Sequence, residues 1–177
     1  MTKYLMLLAV AMLMMACGGD DGNDSVDKDP VDDNAQPDAD TPPVWVTDQT
    51  YAGLEWSSLS ESTMTWQQAM DYCAAMNTRL PNINELRKII INCPGSTYGG
   101  ACPVSDPDCL DSICGDENCG CVSTADSYSA LGDGKDIMLW SSSSHAYNTS
   151  YAWGVDFGYG SVGYSVKVSS VNARCVR

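Results

Sequence analysis

Nine cysteines in 177 residues constrain this chain more than any other feature. Cys17 stands alone near the start. The other eight run from Cys73 to Cys175, and an even number in an oxidising compartment reads as a framework of four disulfides. They are unevenly spread. Cys73 and Cys175 are solitary, whereas Cys93, Cys102, Cys109, Cys114, Cys119 and Cys121 lie within 29 residues. Clustered cysteines also bind zinc, but the paired C-x2-C knuckles of common zinc sites are missing. The tightest pair, Cys119 and Cys121, is a C-x-C, too close to bond comfortably to itself. Disulfides are expected, and no metal.

The segment ahead of Cys17 sets the address. Lys3 gives a positive start, and Leu5 to Ala16 form an apolar run about half as long as the roughly 20 residues that span a bilayer. Such a run is a signal h-region. Met14-Met15-Ala16-Cys17 resembles a bacterial lipobox, which implies cleavage before Cys17 and acylation of its thiol and amino group. Two or more acyl chains hold a protein on a membrane because each buried methylene adds about 0.8 kcal/mol. Gly18 is compatible with sorting to the outer membrane, since aspartate directly after the cysteine is the retention signal in some bacteria. The expected localisation is therefore the outer membrane, lipid-anchored, on its extracellular or periplasmic face.

Residues 18–43 hold nine aspartates, one lysine and four prolines, with no aromatic residue. Such a stretch cannot bury enough apolar surface to offset its ordering entropy, and like-charge repulsion extends it. It is expected to be a disordered acidic tether reaching up to about 85 Å when fully stretched. Its aspartates lack the glycine and glutamate of an EF-hand loop, so a solvated spacer is preferred to a calcium site. Residues 44–177 carry seven basic and fourteen acidic side chains. An acidic domain on an acidic tether argues against nucleic acid, against anionic lipid head groups and against an electrostatic grip on sulfated polysaccharide.

Residues 44–177 suffice for one domain. Val44 to Trp56 suggests one or two short strands. Thr65-Trp66-Gln67-Gln68 is a capping box, opening a helix with Trp66, Ala69, Met70, Cys73 and Ala74 on one face and Asn77 as its stop. A second box, Asn82-Ile83-Asn84-Glu85, starts a short helix with Ile83, Leu86 and Ile90 inward, and Pro81 separates the two. The period then changes. Tyr151, Trp153, Val155 and Phe157 alternate with smaller or polar residues, as in a half-buried strand. Gly158-Tyr159-Gly160 turns the chain, and Val162, Tyr164, Val166 and Val168 alternate again. Asn172 to Val176 can add a last strand. The expected fold class is α+β, two short helices followed by an antiparallel sheet, with residues 93–121 as a disulfide-rich insertion.

The runs TWQQAMDYCAAM, RLPNINEL, LWSSS, YAWGVDFGYGSVGY and ARCVR, in that order, resemble the Lcl C-terminal domain family over most of residues 51–177. That family takes its name from a bacterial collagen-like surface protein. The resemblance implies a C-type-lectin-like fold related to formylglycine-generating enzymes, in which a cysteine on the first helix joins one on the last strand, here Cys73 and Cys175. The six clustered cysteines are then expected to pair among themselves, in a connectivity left open. They would hold an excrescence that is separable from a complete helix–sheet core. The enzymatic relatives keep a redox-active cysteine pair near a Gly-Gly-Ser-Trp motif. The nearest equivalent here, Leu139-Trp140-Ser141-Ser142, has none.

No other constellation reads as catalytic. His145, the single histidine, follows Ser141 to Ser144, but no Gly-x-Ser-x-Gly elbow is present, and a solvent-facing loop histidine is the expectation. Asp106, Asp108, Asp111, Asp116 and Glu117 lie among the cysteines without a basic neighbour. A calcium site over residues 106–117 is conceivable, but a solvated acidic loop is preferred and no cofactor is expected. The lectin calcium triplets Glu-Pro-Asn and Trp-Asn-Asp are absent. What remains is a surface rich in Tyr, Ser, Gly and Asn, a composition suited to binding because tyrosine offers contact area at low entropy cost. Alternation sends Tyr151, Trp153 and Tyr164 to the core, which leaves Tyr147, Tyr159 and Trp140 as ligand candidates. The expected function is a non-enzymatic surface binding or adhesion module, with polysaccharide as the ligand the resemblance implies. The alternative is a structural envelope lipoprotein engaging a neighbouring protein.

Overall fold

The computed structural model describes residues 45–177, so the stretches read as a signal segment and a tether, and Cys17 between them, lie outside the described residues. Strands β1 (Thr47–Tyr51) and β2 (Leu54–Ser57) form an antiparallel hairpin. Helices α1 (Trp66–Ala75) and α2 (Ile83–Lys88) follow. Two 3-10 turns, Ser112–Cys114 and Glu117–Cys119, lie in the cysteine-rich segment. Strands β3 (Met138–Ser144), β4 (Tyr151–Asp156) and β5 (Ser161–Val166) then make an antiparallel sheet in the order β3-β4-β5.

Both helices begin where their capping boxes lie. Thr65 and Asn82 accept from the N3 backbone amides, while Gln68 and Glu85 reach back to the cap amides. On α1 the inward side chains include Ala69 and Cys73, continued by Met76 beyond the helix, whereas Ala74 is exposed. Asn77 adopts φ +55°, the left-handed conformation that stops a helix. Arg79 forks onto both Glu85 oxygens at 2.7 and 2.8 Å. Burial pulls the Glu85 carboxyl upward, but this fork and the Asn82 amide outweigh it and hold it below the ordinary carboxylate range.

The early strands β1 and β2 form a sheet of their own, separate from the three-stranded one. The C-terminal segment is not a regular strand but a lacing: Val171 pairs with Met64, Val176 with both Trp56 and Arg79, and Asn172 with Leu139. The Cys175 carbonyl accepts from Ser57 N–H at 2.9 Å, and Arg177 exchanges both backbone bonds with Glu55. Arg174 points inward, where it is paired with the fully buried Asp133 carboxylate at 2.8 Å and with Asp48 at 3.0 Å.

The three-stranded sheet has packing on both faces, and its alternation assigns them. Trp140 and Ala152 face a core built with α1, Ala173 and Cys175. Leu139, Trp153, Val155 and Val162 face a second core, with α2 and the cysteine-rich segment. This is why Ala152 and Gly154 are buried along with their larger neighbours, making β4 a fully covered central strand.

Cys73 bonds Cys175, the pair implied by the resemblance. The clustered six form three nested bridges, Cys93–Cys121 outside Cys102–Cys119 outside Cys109–Cys114. The expectation that this segment is separable from the core is corrected. Cys102, Val104, Cys114 and Cys119 are themselves part of the second core. Arg87 on α2, buried, donates to the carbonyls of Ser96 (3.0 Å), Thr97 (3.1 Å), Cys102 (3.0 Å) and Val104. Burial lowers its guanidinium from the usual arginine range. Asn84 clasps the Asp106 backbone in both directions, at 2.7 and 3.0 Å. The segment is therefore a wall of the domain.

Candidate functional site

The cysteine-rich wall meets the sheet along β5 and leaves a groove of about 590 Å³ between them. Residues Gly115 to Val122 supply one side, with Cys119 and Cys121 tied back by the two outer disulfides. Ser161 to Tyr164 supply the other, and Trp153 on β4 lies between. Two glycines allow the approach. A side chain at Gly115 would meet the Trp153 ring at 3.3 Å, and one at Gly120 would meet the Ser161 side chain at 3.2 Å. Trp153 is further pinned by its indole N–H, which donates to the Leu110 carbonyl at 3.0 Å.

Tyr164 carries the exposed aromatic surface of the groove. It is 42% exposed, although alternation had placed it in the core; that expectation is corrected. The alternation is real, since Tyr164 lies opposite Trp153 on the same face of the sheet. However, β5 is the last strand of its sheet, and cover over that face ends at the groove. The ring is held edge-on to three others: Trp153 at 5.1 Å, His145 at 4.9 Å and Tyr151 at 5.6 Å. Such contacts are worth about 0.5–1.5 kcal/mol each beyond area and orient the ring before any ligand arrives.

His145 is buried rather than solvent-facing, a second correction. Its ring lies parallel to Trp153 at 6.1 Å, and Nδ1 accepts from the backbone amides of Tyr147 (3.3 Å) and Asn148 (3.2 Å). The neighbouring serine hydroxyls are engaged elsewhere. Ser141 donates to the Trp153 carbonyl at 2.8 Å, Ser143 to the Asp106 carboxylate, and Ser144 accepts from Lys167 at 2.7 Å.

Two carboxylates stand on the wall. Asp116 is fixed because its oxygens accept from the Asn118 amide at 2.8 Å and from the Asn118 side chain at 3.2 Å; Glu117 follows it, exposed. No lysine, arginine or histidine lines the groove. Of the other acids of the segment, Asp106 accepts from the Ser143 hydroxyl and Asp111 from the Ser112 hydroxyl. Among the described residues, no group of three or more His, Cys, Asp or Glu is arranged to hold a metal ion.

The three ligand candidates named from sequence fall apart in space. Trp140 is fully buried, its indole N–H donating to the Met64 carbonyl at 3.0 Å, so it cannot meet a ligand; β3 is covered there by the C-terminal lacing. Tyr147 is 83% exposed on the β3–β4 connection and is not part of the groove lining. Tyr159, half exposed in the β4–β5 turn, adjoins the groove through its carbonyl, which accepts the Cys121 amide at 2.7 Å. Sequence reasoning missed Tyr164, Asp116 and Glu117 as partners in one site. Their juxtaposition depends on the disulfide pairing, which spacing does not reveal.

Two short helices, two antiparallel sheets and four disulfides, with the first helix bonded to the last segment, define a disulfide-rich α+β fold of the C-type-lectin-like kind. The chain belongs to the Lcl C-terminal domain family, whose model matches residues 44–177. Among curated proteins, none matches the chain.

Proposed function

We propose that this protein is a non-enzymatic recognition module, held on the outer membrane by a lipid on Cys17, that binds polysaccharide in the groove between the cysteine-rich wall and β5. The observation that carries this reading is Tyr164, half exposed and immobilised by three aromatic neighbours on the side of a 590 Å³ groove. A pre-oriented ring offers a flat apolar face to a sugar without an ordering cost, and the flanking carboxylates accept hydrogen bonds from its hydroxyls. The volume falls in the ordinary range of small-ligand sites, about 300–1,000 Å³. A glycan array probed with the purified full chain tests the reading. Signal from at least one uncharged or amine-bearing glycan is expected, reduced about tenfold or more by Tyr164→Ala at a temperature where circular dichroism shows that variant to be folded. A folded chain that binds no glycan would overturn it in favour of a protein partner.

The membrane attachment rests on the lipobox-like Met14-Met15-Ala16-Cys17 and on the short apolar run before it. Among the described residues, no helix is long and apolar enough to cross a membrane. Cys17→Ser should abolish incorporation of labelled fatty acid and release or misprocess the protein. Membrane attachment of that variant without acyl label would sink the lipid anchor.

A further inference from the structure

The chemistry around Tyr164 points to a particular class of sugar. Asp116 and Glu117 put two carboxylates on the wall opposite β5, and no cationic side chain lines the groove to neutralise them. The whole cysteine-rich segment, residues 93–121, contains five acids and neither lysine nor arginine. Asp116 is locked by Asn118, so its charge is presented at a fixed place rather than on a wandering side chain. An anionic polysaccharide would meet repulsion here, within a chain already at −14.

The aromatic side has the same preference. A tyrosine face attracts a cation within about 6 Å of its centre. The protein uses this attraction elsewhere on its own surface: Lys167 sits 3.8 Å over Trp66, Arg177 4.8 Å over Trp45, and Lys88 5.6 Å over Tyr98. The groove offers the aromatic ring, with Asp116 and Glu117 in the same lining, but no cation of the chain there. Aromatic surface and carboxylates, converging on one cleft, thus select for one kind of ligand group, an ammonium on a ring that can stack.

We propose that the groove takes a polysaccharide bearing free amino groups, with a sugar ring against Tyr164 and its ammonium held by Asp116 and Glu117. This rests on the groove being a polysaccharide site and specifies the ligand there. The test is titration calorimetry on the full chain at pH 6, where a sugar amine is protonated. The probes are a β-1,4-linked glucosamine hexamer, its fully N-acetylated counterpart, heparin and a lysine hexamer. The glucosamine hexamer should bind about tenfold or more tighter than the acetylated one, and heparin should not bind. Asp116→Asn with Glu117→Gln should bring the two hexamers within about twofold of each other. Tyr164→Ala should weaken both. Raising salt from about 50 to 300 mM should cost affinity only for the amine form, because screening acts on charge. Equal binding of the two hexamers by the unaltered chain would overturn the amine preference while leaving the polysaccharide site standing. Binding of the lysine hexamer as tightly as the glucosamine hexamer would overturn it too, since the groove would then be a general acidic patch. No binding of either hexamer by a folded chain, with signal from other glycans on the array, would overturn this proposal alone. Silence throughout would remove the site itself.

Discussion

Replacing residues 94–120, together with Cys93 and Cys121, by a short Gly/Ser linker should abolish cooperative folding. The excision removes three of the four disulfides, and it also removes Val104, Cys102, Cys114 and Cys119 from the core shared with α2 and β4. A fully buried valine alone contributes about 1.5–3 kcal/mol. Arg87 loses its anchoring as well. Its guanidinium would be deprived of the carbonyls of Ser96, Thr97, Cys102 and Val104 at once. Water would take their place, but the face of α2 that the segment covers would be opened to solvent and its ordered packing lost. Trp153 would also lose the Leu110 carbonyl and the Gly115 backbone that covers it. Together these losses match or exceed the roughly 5–15 kcal/mol that holds a typical domain folded. Circular dichroism through a thermal scan would read the outcome. A variant that melts in one sharp transition near the parent temperature would show the segment to be an appendage after all.

The second large effect belongs to Cys73 and Cys175. Their bridge spans 102 residues, and loop-closure entropy for a loop of about 100 residues corresponds to about 4.7 kcal/mol. Both sulfurs lie in the fully buried core beneath α1, so the chain segments they join have no slack to take up. Cys73→Ala with Cys175→Ala should therefore lower the melting temperature by roughly 15–20 °C, at a few degrees per kcal/mol for a domain of this size. The innermost bridge, Cys109–Cys114, closes only five residues and should be worth about 2 kcal/mol on the same model. Calorimetry on the two paired variants gives the ranking directly. A larger loss from the inner pair than from the outer one would refute the entropic account and place the stability in local packing instead.

The two effects act on different states. The Cys73–Cys175 bridge works mainly by restricting the unfolded chain, so its removal leaves the native contacts in place. The cysteine-rich wall works in the folded state, by supplying acceptors and apolar cover to Arg87 and Trp153. Only the second kind of loss also removes a side of the groove. Partial refolding of the Cys73/Cys175 variant at low temperature should accordingly restore binding wherever it restores structure.

Local chemistry was legible from the sequence. Capping boxes at Thr65 and Asn82 fixed where both helices start, because a hydroxyl or amide reaching the N3 amide depends on four consecutive residues and little else. Period-2 alternation found β4 and β5, since the pleat sends successive side chains to opposite faces whatever lies beyond them. The even cysteine count foretold a disulfide framework. Strand β3 was visible only as part of a motif, because its run of four serines has no apolar alternation. The role of Arg87 was invisible for a related reason. A charged residue on a helix is read as solvated unless the partners that justify its burial are known, and here they are main-chain carbonyls with no sequence signature. Which cysteine meets which, whether Trp140 or Tyr164 reaches the surface, and whether residues 93–121 stand apart or complete the core were decided only by the tertiary structure. In each case the cause is nonlocal. Three nested bridges bring Asp116 and Glu117 across from Tyr164, and the position of β5 at the sheet's edge, rather than its alternation, leaves that tyrosine open to a ligand.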